Sequence, residues 1–443
     1  MPVQFSPFGC IADDLTGAVD LATRFRHAGF RVHLQFQVSG SPPAPKADVL
    51  IVGLKSRMKP IEVAVAESLA ALDWLVDQGC AQFYLKYAST FDCTRFGNIG
   101  PVIEAVMSRL DVDFTVACPA LPSAGRITRG GKHFVDGVPL GESYMRNHPL
   151  TPMTNSHLVS VLQNQAIRRV GHLPHSTVTQ GSPAIRRGLN QLRQDRYAIA
   201  VLDTVTDGDL KVISSACNDT RLTTGASGLA LALMHHRERI DTNPQPTPAY
   251  FLRQKYGKQA IISGSCSEVT RRQLAVAARE YPAMQISPLD IAAGKDVVGE
   301  VLSWASDHLV DGPIVIFSTT TPDAIEKIHG QLGRHRAAHF IEDTLAAIAN
   351  GLASLGVLQM IVAGGETSGA VAESLGIQTL DLGPTIDSGV SWTFAKARFL
   401  GDQNVALALK PGNFGKPNLF SRAWEVLEES LREPSVHECI PPL

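Results

Sequence analysis

The chain has 443 residues, about three times the ~150 of a common domain, so two or three packed units are expected. Hydrophobic residues make up 44% and charged residues 19%, with 40 basic side chains against 42 acidic, which excludes extensive disorder and argues against a nucleic-acid grip. Seven scattered cysteines without a CxxC pair suggest neither a disulfide framework nor a thiolate zinc site.

The opening MPVQFSPFGCIADD lacks a basic segment followed by an apolar one, so it does not read as a signal peptide, and a cytoplasmic protein is expected. A first strand runs into Asp13 and Asp14 and then a helix; adjacent acids there can be ligands or helix caps. The apolar run Val49–Gly53 leads into Leu54-Lys55-Ser56-Arg57, and the helical stretch Ile61–Gln78 follows. Phe83–Tyr87 leads into a loop that gathers Lys86, Ser89, Thr90 and Asp92, a cation, hydroxyls and an acid suited to a sugar acid. Further strands are expected at Phe114–Cys118 and Ala198–Leu202, with helices at Pro101–Leu110 and Ser182–Arg193. His148 reads as a loop histidine tied to backbone, and Gly225-Ala-Ser-Gly228 as either close helix packing or an anion loop. Cys118 and Cys266 are expected to be small buried thiols, not nucleophiles.

From Arg237 to Pro248 charge gives way to a turn-rich, proline-spaced stretch, the linker candidate. It divides the chain into 1–243 and 244–443, and closure of the two lobes would hinge near Pro244–Pro248. Beyond it come strands at Ala260–Ser263, Ile314–Ser318 and Leu358–Ala363 and a helix at Glu268–Ala278. The long uncharged run Thr344–Gly365 is broken by polar residues and reads as helix, turn and buried strand. Three strands end in small polar or glycine-bearing loops: Gly264-Ser265-Cys266-Ser267, Gly364-Gly365-Glu366-Thr367, and Lys410-Pro411-Gly412-Asn413. Such loops entering helices suit a phosphate, yet GxxxxGK[ST] is absent, which disfavours a P-loop NTPase. Lys410 reads as part of this site or as an ordinary surface lysine.

Strands alternating with helices predict an α/β protein of two lobes, each with a largely parallel sheet flanked by helices and the active site in the cleft between them. The chemistry suggested is phosphoryl transfer from a nucleotide in one lobe to a hydroxyl of a small acidic polyol in the other, with Asp14 or Asp92 as base. Magnesium would bridge phosphate oxygens to carboxylates or water, with its protein ligands unassigned.

The ordered motifs IADDLTGAVD, KYASTFD, GNIGPV, ACPALPSAGR, GESYMRNHPLTPM, ISGSCS, VAGGETSGAV and LALKPGNFG resemble those of the four-carbon acid sugar kinases, most closely the 3-oxo-tetronate 4-kinase branch. The resemblance runs from about Gly9 to about Gly415. It implies an N-terminal substrate domain, a C-terminal nucleotide domain, and transfer from ATP to the 4-hydroxyl of a 3-oxo-tetronate. It also implies substrate contacts from Asp13, Asp14, Arg57 and the loop from Lys86 to Ser89, and ATP contacts from Ser265, Gly364, Gly365, Glu366, Thr367 and Gly412. Ala88, Cys93 and Pro411 depart from the family pattern; Pro411 removes a backbone donor beside the expected phosphate loop. The partners expected are a four-carbon sugar acid and ATP, with no nucleic acid or membrane, and a homo-oligomer is left open. The rival readings are a threonate or erythronate kinase, a sugar-acid-binding protein without turnover, and a dehydrogenase, the last disfavoured by the lack of GxGxxG after the first strand.

Overall fold

The structure is a computed structural model that describes residues 6–148, 150–237, 257–310 and 312–432. The chain divides into two compact units, Met1–Gln245 and Pro246–Leu443. Of the expected linker, everything from residue 238 on lies outside the described residues.

In the first unit, runs that are apolar on both faces become interior strands of a parallel sheet, because helices cover both sides. Phe8–Ala12 (β1) and Val49–Gly53 (β3) are buried at every position. With Val32–Gln35 (β2), Gln82–Lys86 (β4), Thr115–Cys118 (β5), Val170–Leu173 (β9), Ile199–Leu202 (β10) and Leu222–Gly225 (β11) they form the order β2-β3-β1-β4-β11-β5-β10-β9. Every neighbouring pair is parallel. The flanking helices include Leu15–His27, Ile61–Asp77, Ile99–Arg109 and Ser182–Gln194.

Register decides where function can sit. Ala12 pairs with both Gly53 and Lys86, and Lys86 with Gly225. The segments that follow β1, β3 and β4 therefore leave the sheet side by side at its carboxyl edge, where ligands of open α/β sheets bind. A small antiparallel sheet, Arg126–Arg129 (β6), Lys132–Val135 (β7) and Val138–Pro139 (β8), interrupts the alternation. Sequence periodicity gives no sign of it, since its strands are two to four residues long. The Gly225–Gly228 segment is close packing: a Cβ on Gly228 would meet Leu210 at 2.9 Å and Leu121 at 3.2 Å.

The second unit repeats the principle with Lys258–Ser263 (β12), Ala283–Gln285 (β13), Ile314–Phe317 (β14), Val357–Ala363 (β15), Thr379–Asp387 (β16), Val390–Ala397 (β17) and Gln403–Lys410 (β18). Its order is β13-β14-β12-β15-β18-β17-β16, parallel up to β18 and antiparallel for the last two. The run Thr344–Gly365 resolves as expected into the end of helix Arg334–Ser354, a turn and the buried strand β15. Among the described residues no helix is long and apolar enough to cross a membrane. Ser263 and Lys410 both pair with Ala363, so the loops after β12, β15 and β18 converge at one edge.

Candidate functional site

At the edge of the first unit, charge is concentrated on one guanidinium. Arg57 donates from Nε and Nη2 to the two oxygens of Asp13 (2.9 and 2.7 Å), and from Nη2 to Asp14 Oδ1 (2.7 Å). Its Nη1 lies 3.8 Å from Asp92 Oδ2. The loop that carries Arg57 is pinned by Asn98, whose Nδ2 donates to the carbonyl of Ser56 at 2.8 Å and reaches those of Arg57 and Lys59.

Asp14 also caps helix Leu15–His27, accepting from Gly17 N at 3.0 Å and from the Thr16 hydroxyl at 2.5 Å. The capping reading of this acid holds, and the same carboxylate also accepts from Arg57. Burial pushes the Asp13 carboxyl up, and Arg57 offsets only part of that rise. Burial acts the same way on Asp14, but Arg57, Lys86, Thr16 and Gly17 outweigh it and hold that carboxyl below its ordinary range. Two adjacent acids are thereby driven apart, one toward proton affinity and the other toward permanent charge.

Lys86 ends β4 with its side chain buried, and its ammonium forms no hydrogen bond or ion pair among the described residues. It lies against Gly17, where an added Cβ would fall 2.0 Å from Nζ. Beyond it, Thr90 donates to Asp92 Oδ1. Between these two, Phe91 is buried at φ 49°, a left-handed conformation that costs a bulky residue roughly 1–3 kcal/mol. Such strain is held only when the surroundings over-determine it.

One of those surroundings is His133 on β7, fully buried, which sequence reasoning did not single out. Its Nε2 lies 2.7 Å from the Ser89 carbonyl and its Nδ1 3.0 Å from Thr128 Oγ1. A carbonyl only accepts, so Nε2 carries the proton and Nδ1 accepts from the threonine. Burial, the largest influence, pushes the imidazole down to about 4, so it stays neutral. No local motif marks His133, because it reaches the Ser89 loop from a hairpin 44 positions away. Asn98 lies within GNIGPV and was legible as a motif, though not as a clamp.

Three other residues make local contacts. Cys93 is turned toward Gln165, whose Nε2 approaches Sγ at 3.1 Å, and burial raises its thiol to about 11. Cys118 lies 3.3 Å from Thr204 Oγ1 and is likewise raised to about 11, as expected of an inert thiol. The Nδ1 of His148 accepts from the Thr151 amide at 3.1 Å, the backbone tie the sequence suggested.

The edge of the second unit is built from glycines and hydroxyls. Gly364 has φ 122°, open essentially to glycine alone, and starts helix Gly365–Ser374, whose first turn has no side-chain cap. A Cβ on Gly264 would meet Thr367 Oγ1 at 2.2 Å, and one on Gly412 would meet Ser265 Oγ at 2.7 Å. Glycine is therefore needed wherever backbone closes on the two hydroxyls, Ser265 and Thr367. Thr319, after β14, donates to the Ser265 carbonyl at 2.7 Å and anchors the loop from below. Gly365 and Glu366 fall in the first turn of the same helix, so the structure brings all six expected nucleotide residues onto this edge. Lys410 is 0% exposed, which overturns the surface-lysine reading. Among the described residues no group of three or more His, Cys, Asp or Glu side chains is placed to hold a metal ion.

A fold of two α/β units, one with a carboxylate-and-cation edge and one with a glycine-and-hydroxyl edge, defines a class of protein that handles a small polar ligand and an anion separately. Comparison with known families agrees. Residues 8–233 match a family model described as a sugar-binding N-terminal domain, and residues 260–420 one described as a nucleotide-binding C-terminal domain. The chain is 43% identical over 420 residues to a 3-oxo-tetronate kinase of Burkholderia multivorans, covering 95% of this chain and 97% of that one. It is also 43% identical over 431 residues to one of Pseudomonas savastanoi pv. phaseolicola, with 95% and 97% covered. Among solved structures, a protein of Salmonella typhimurium LT2 described as a putative tRNA synthase superposes with a TM-score of 0.75 at 37% identity, covering 94% of this chain and 98% of that one. A Haemophilus influenzae protein superposes with a TM-score of 0.68 at 36% identity, with 95% and 100% covered. The chain belongs to the 3-oxo-tetronate kinase family.

Proposed function

We propose that the chain transfers the terminal phosphoryl group of ATP to the 4-hydroxyl of a 3-oxo-tetronate, releasing ADP. The observation that carries this reading is the pairing of two unlike edges on one chain. A cluster of Arg57, Lys86 and three aspartates lies in the domain that matches a sugar-binding model. A glycine cradle around Ser265 and Thr367 lies in the domain that matches a nucleotide-binding model.

Arg57 is engaged with Asp13 and Asp14, so Lys86 is the cation left for the substrate carboxylate. Asp13, Ser89 and Thr90 supply the surrounding polar contacts. Of the two acids expected as base, Asp14 has both oxygens committed to Gly17, Thr16 and Arg57. Asp92 keeps Oδ2 free of any hydrogen bond, with Arg57 3.8 Å away. Asp92 is therefore assigned to receive the proton of the accepting hydroxyl, and Asp14 to hold Arg57 and the helix start. In the other unit, Gly364, Gly365, Glu366, Thr367, Ser265 and Gly412 receive the nucleotide phosphates through backbone amides and hydroxyls. Magnesium would enter with the nucleotide and keep much of its own water.

The test is an ADP-coupled assay across four-carbon sugar acids. Rapid ADP release with 3-oxo-tetronates and slow release with threonate and erythronate is expected. The reverse order would move the chain to the hydroxy-acid kinases, and ligand binding without ADP release would make it a binding protein.

A further inference from the structure

Lys410 closes β18 with its side chain wholly buried, and no carboxylate lies within ion-pair distance among the described residues. Its ammonium spends its three protons on neutral oxygens: Thr270 Oγ1 at 3.0 Å, the Pro411 carbonyl at 2.9 Å and the Gly412 carbonyl at 2.9 Å. The Gly412 carbonyl also accepts from Ser267 Oγ at 2.5 Å and Thr270 Oγ1 at 2.8 Å, three donors on an oxygen with two lone pairs. That is an unusual outlay of donors for packing alone.

Its geometric result follows from the planar trans peptide, in which C=O and the next N–H point opposite ways. Two successive carbonyls drawn toward Lys410 turn the amides of Gly412 and Asn413 away from it. Neither amide has a hydrogen-bond partner among the described residues. Successive outward N–H groups make a concavity for an anion. The position of Pro411, which departs from the family pattern, now has an account: its carbonyl is used, and the donors come from the two residues after it.

A buried ammonium with no counter-ion is costly unless something offsets it. We propose that Lys410 is a positioning residue and a counter-charge for the bound nucleotide phosphate, fixing the Gly412 and Asn413 amides toward it. This rests on the nucleotide reading of this edge. Burial depresses the Lys410 ammonium to about 7. The groups that face it from helix Glu268–Glu280 and the loop before that helix, Thr270 and Ser267, do not titrate. Glu268 pairs with Arg272 at the surface. An arriving phosphate raises the ammonium toward its ordinary value of 10.5, so binding takes up a proton above about pH 7 and none well below it.

The experiment is calorimetric titration of the full chain with MgADP at about pH 8, in two buffers of different ionisation enthalpy. The diphosphate is already fully ionised there, so uptake reports the protein. Uptake approaching one proton is expected, vanishing near pH 6. Lys410→Met should abolish the uptake and weaken MgADP at least tenfold, while a Gly330→Ala control changes neither. Binding with no buffer dependence in the wild type would overturn the inference and leave the nucleotide site standing, whether or not the methionine variant folds. An unchanged uptake in Lys410→Met would also overturn it. Absence of any MgADP binding would remove the nucleotide reading and the inference together.

Discussion

The two carboxyl edges are made by the same rule and charged by opposite ones. In the first unit, polar function comes from full charges neutralising one another: Arg57 lies among Asp13, Asp14 and Asp92, with Lys86 beside them. In the second, glycines, hydroxyls and backbone amides do the work over the buried Lys410. The difference suits the ligands. A small sugar acid needs directional contacts and a base, whereas a polyphosphate brings its own charge and needs donors already aimed at it.

The comparison breaks most visibly at Asp92. Asp92→Asn should lower kcat by about 10²–10⁴-fold, the usual worth of a general base, with KM for ATP within about twofold. Steady-state kinetics measures both, and a kcat loss below about tenfold would remove Asp92 as the base. Arg57→Met leaves buried carboxylates without their partner and should destabilise the first unit by about 3–5 kcal/mol, read as a lower urea midpoint. A change under about 1 kcal/mol would mean that the cluster is functional charge with little structural role.

Acid should find the edge of the first unit through His133. Its native form is depressed to about 4 from 6.5, so between those values the unfolded chain binds a proton that the native chain does not. Stability is therefore lost as pH falls through that window, by up to about 3 kcal/mol. Urea melts at a series of pH values should show a steeper acid loss in the wild type than in His133→Gln; equal slopes would refute the neutral buried imidazole. The smallest effects separate glycines of the second unit. Gly364→Ala, at φ 122° with Thr367 Oγ1 3.1 Å from the new Cβ, should cost about 1–3 kcal/mol and raise KM for ATP. Gly330→Ala, in open space within helix Pro322–Leu332, should stabilise by about 0.5–1 kcal/mol and leave KM alone.

Much of this was legible before any coordinates because parallel α/β sheets write their function at strand ends. Asp13 and Asp14 after β1, Arg57 after β3, Lys86 at the end of β4 and the glycines after β15 all follow short apolar runs. What stayed hidden depended on long separations or on backbone direction. His133 supports Ser89 from a hairpin whose strands are too short to show a period. Lys410 reads from sequence as part of the phosphate loop or as a surface lysine; its burial and its three carbonyl and hydroxyl contacts exclude the second reading. The commitment of Asp14 to Thr16 and Gly17 was foreseen as a cap, but its consequence for the choice of base was not.

Phosphorus NMR of the product formed from ATP and a 3-oxo-tetronate tests the central claim most directly. Transfer to O4 places phosphorus next to a methylene and predicts a triplet in the proton-coupled spectrum. A doublet, which signals phosphorylation at the C2 hydroxyl, or the absence of any new phosphorus resonance, would contradict it.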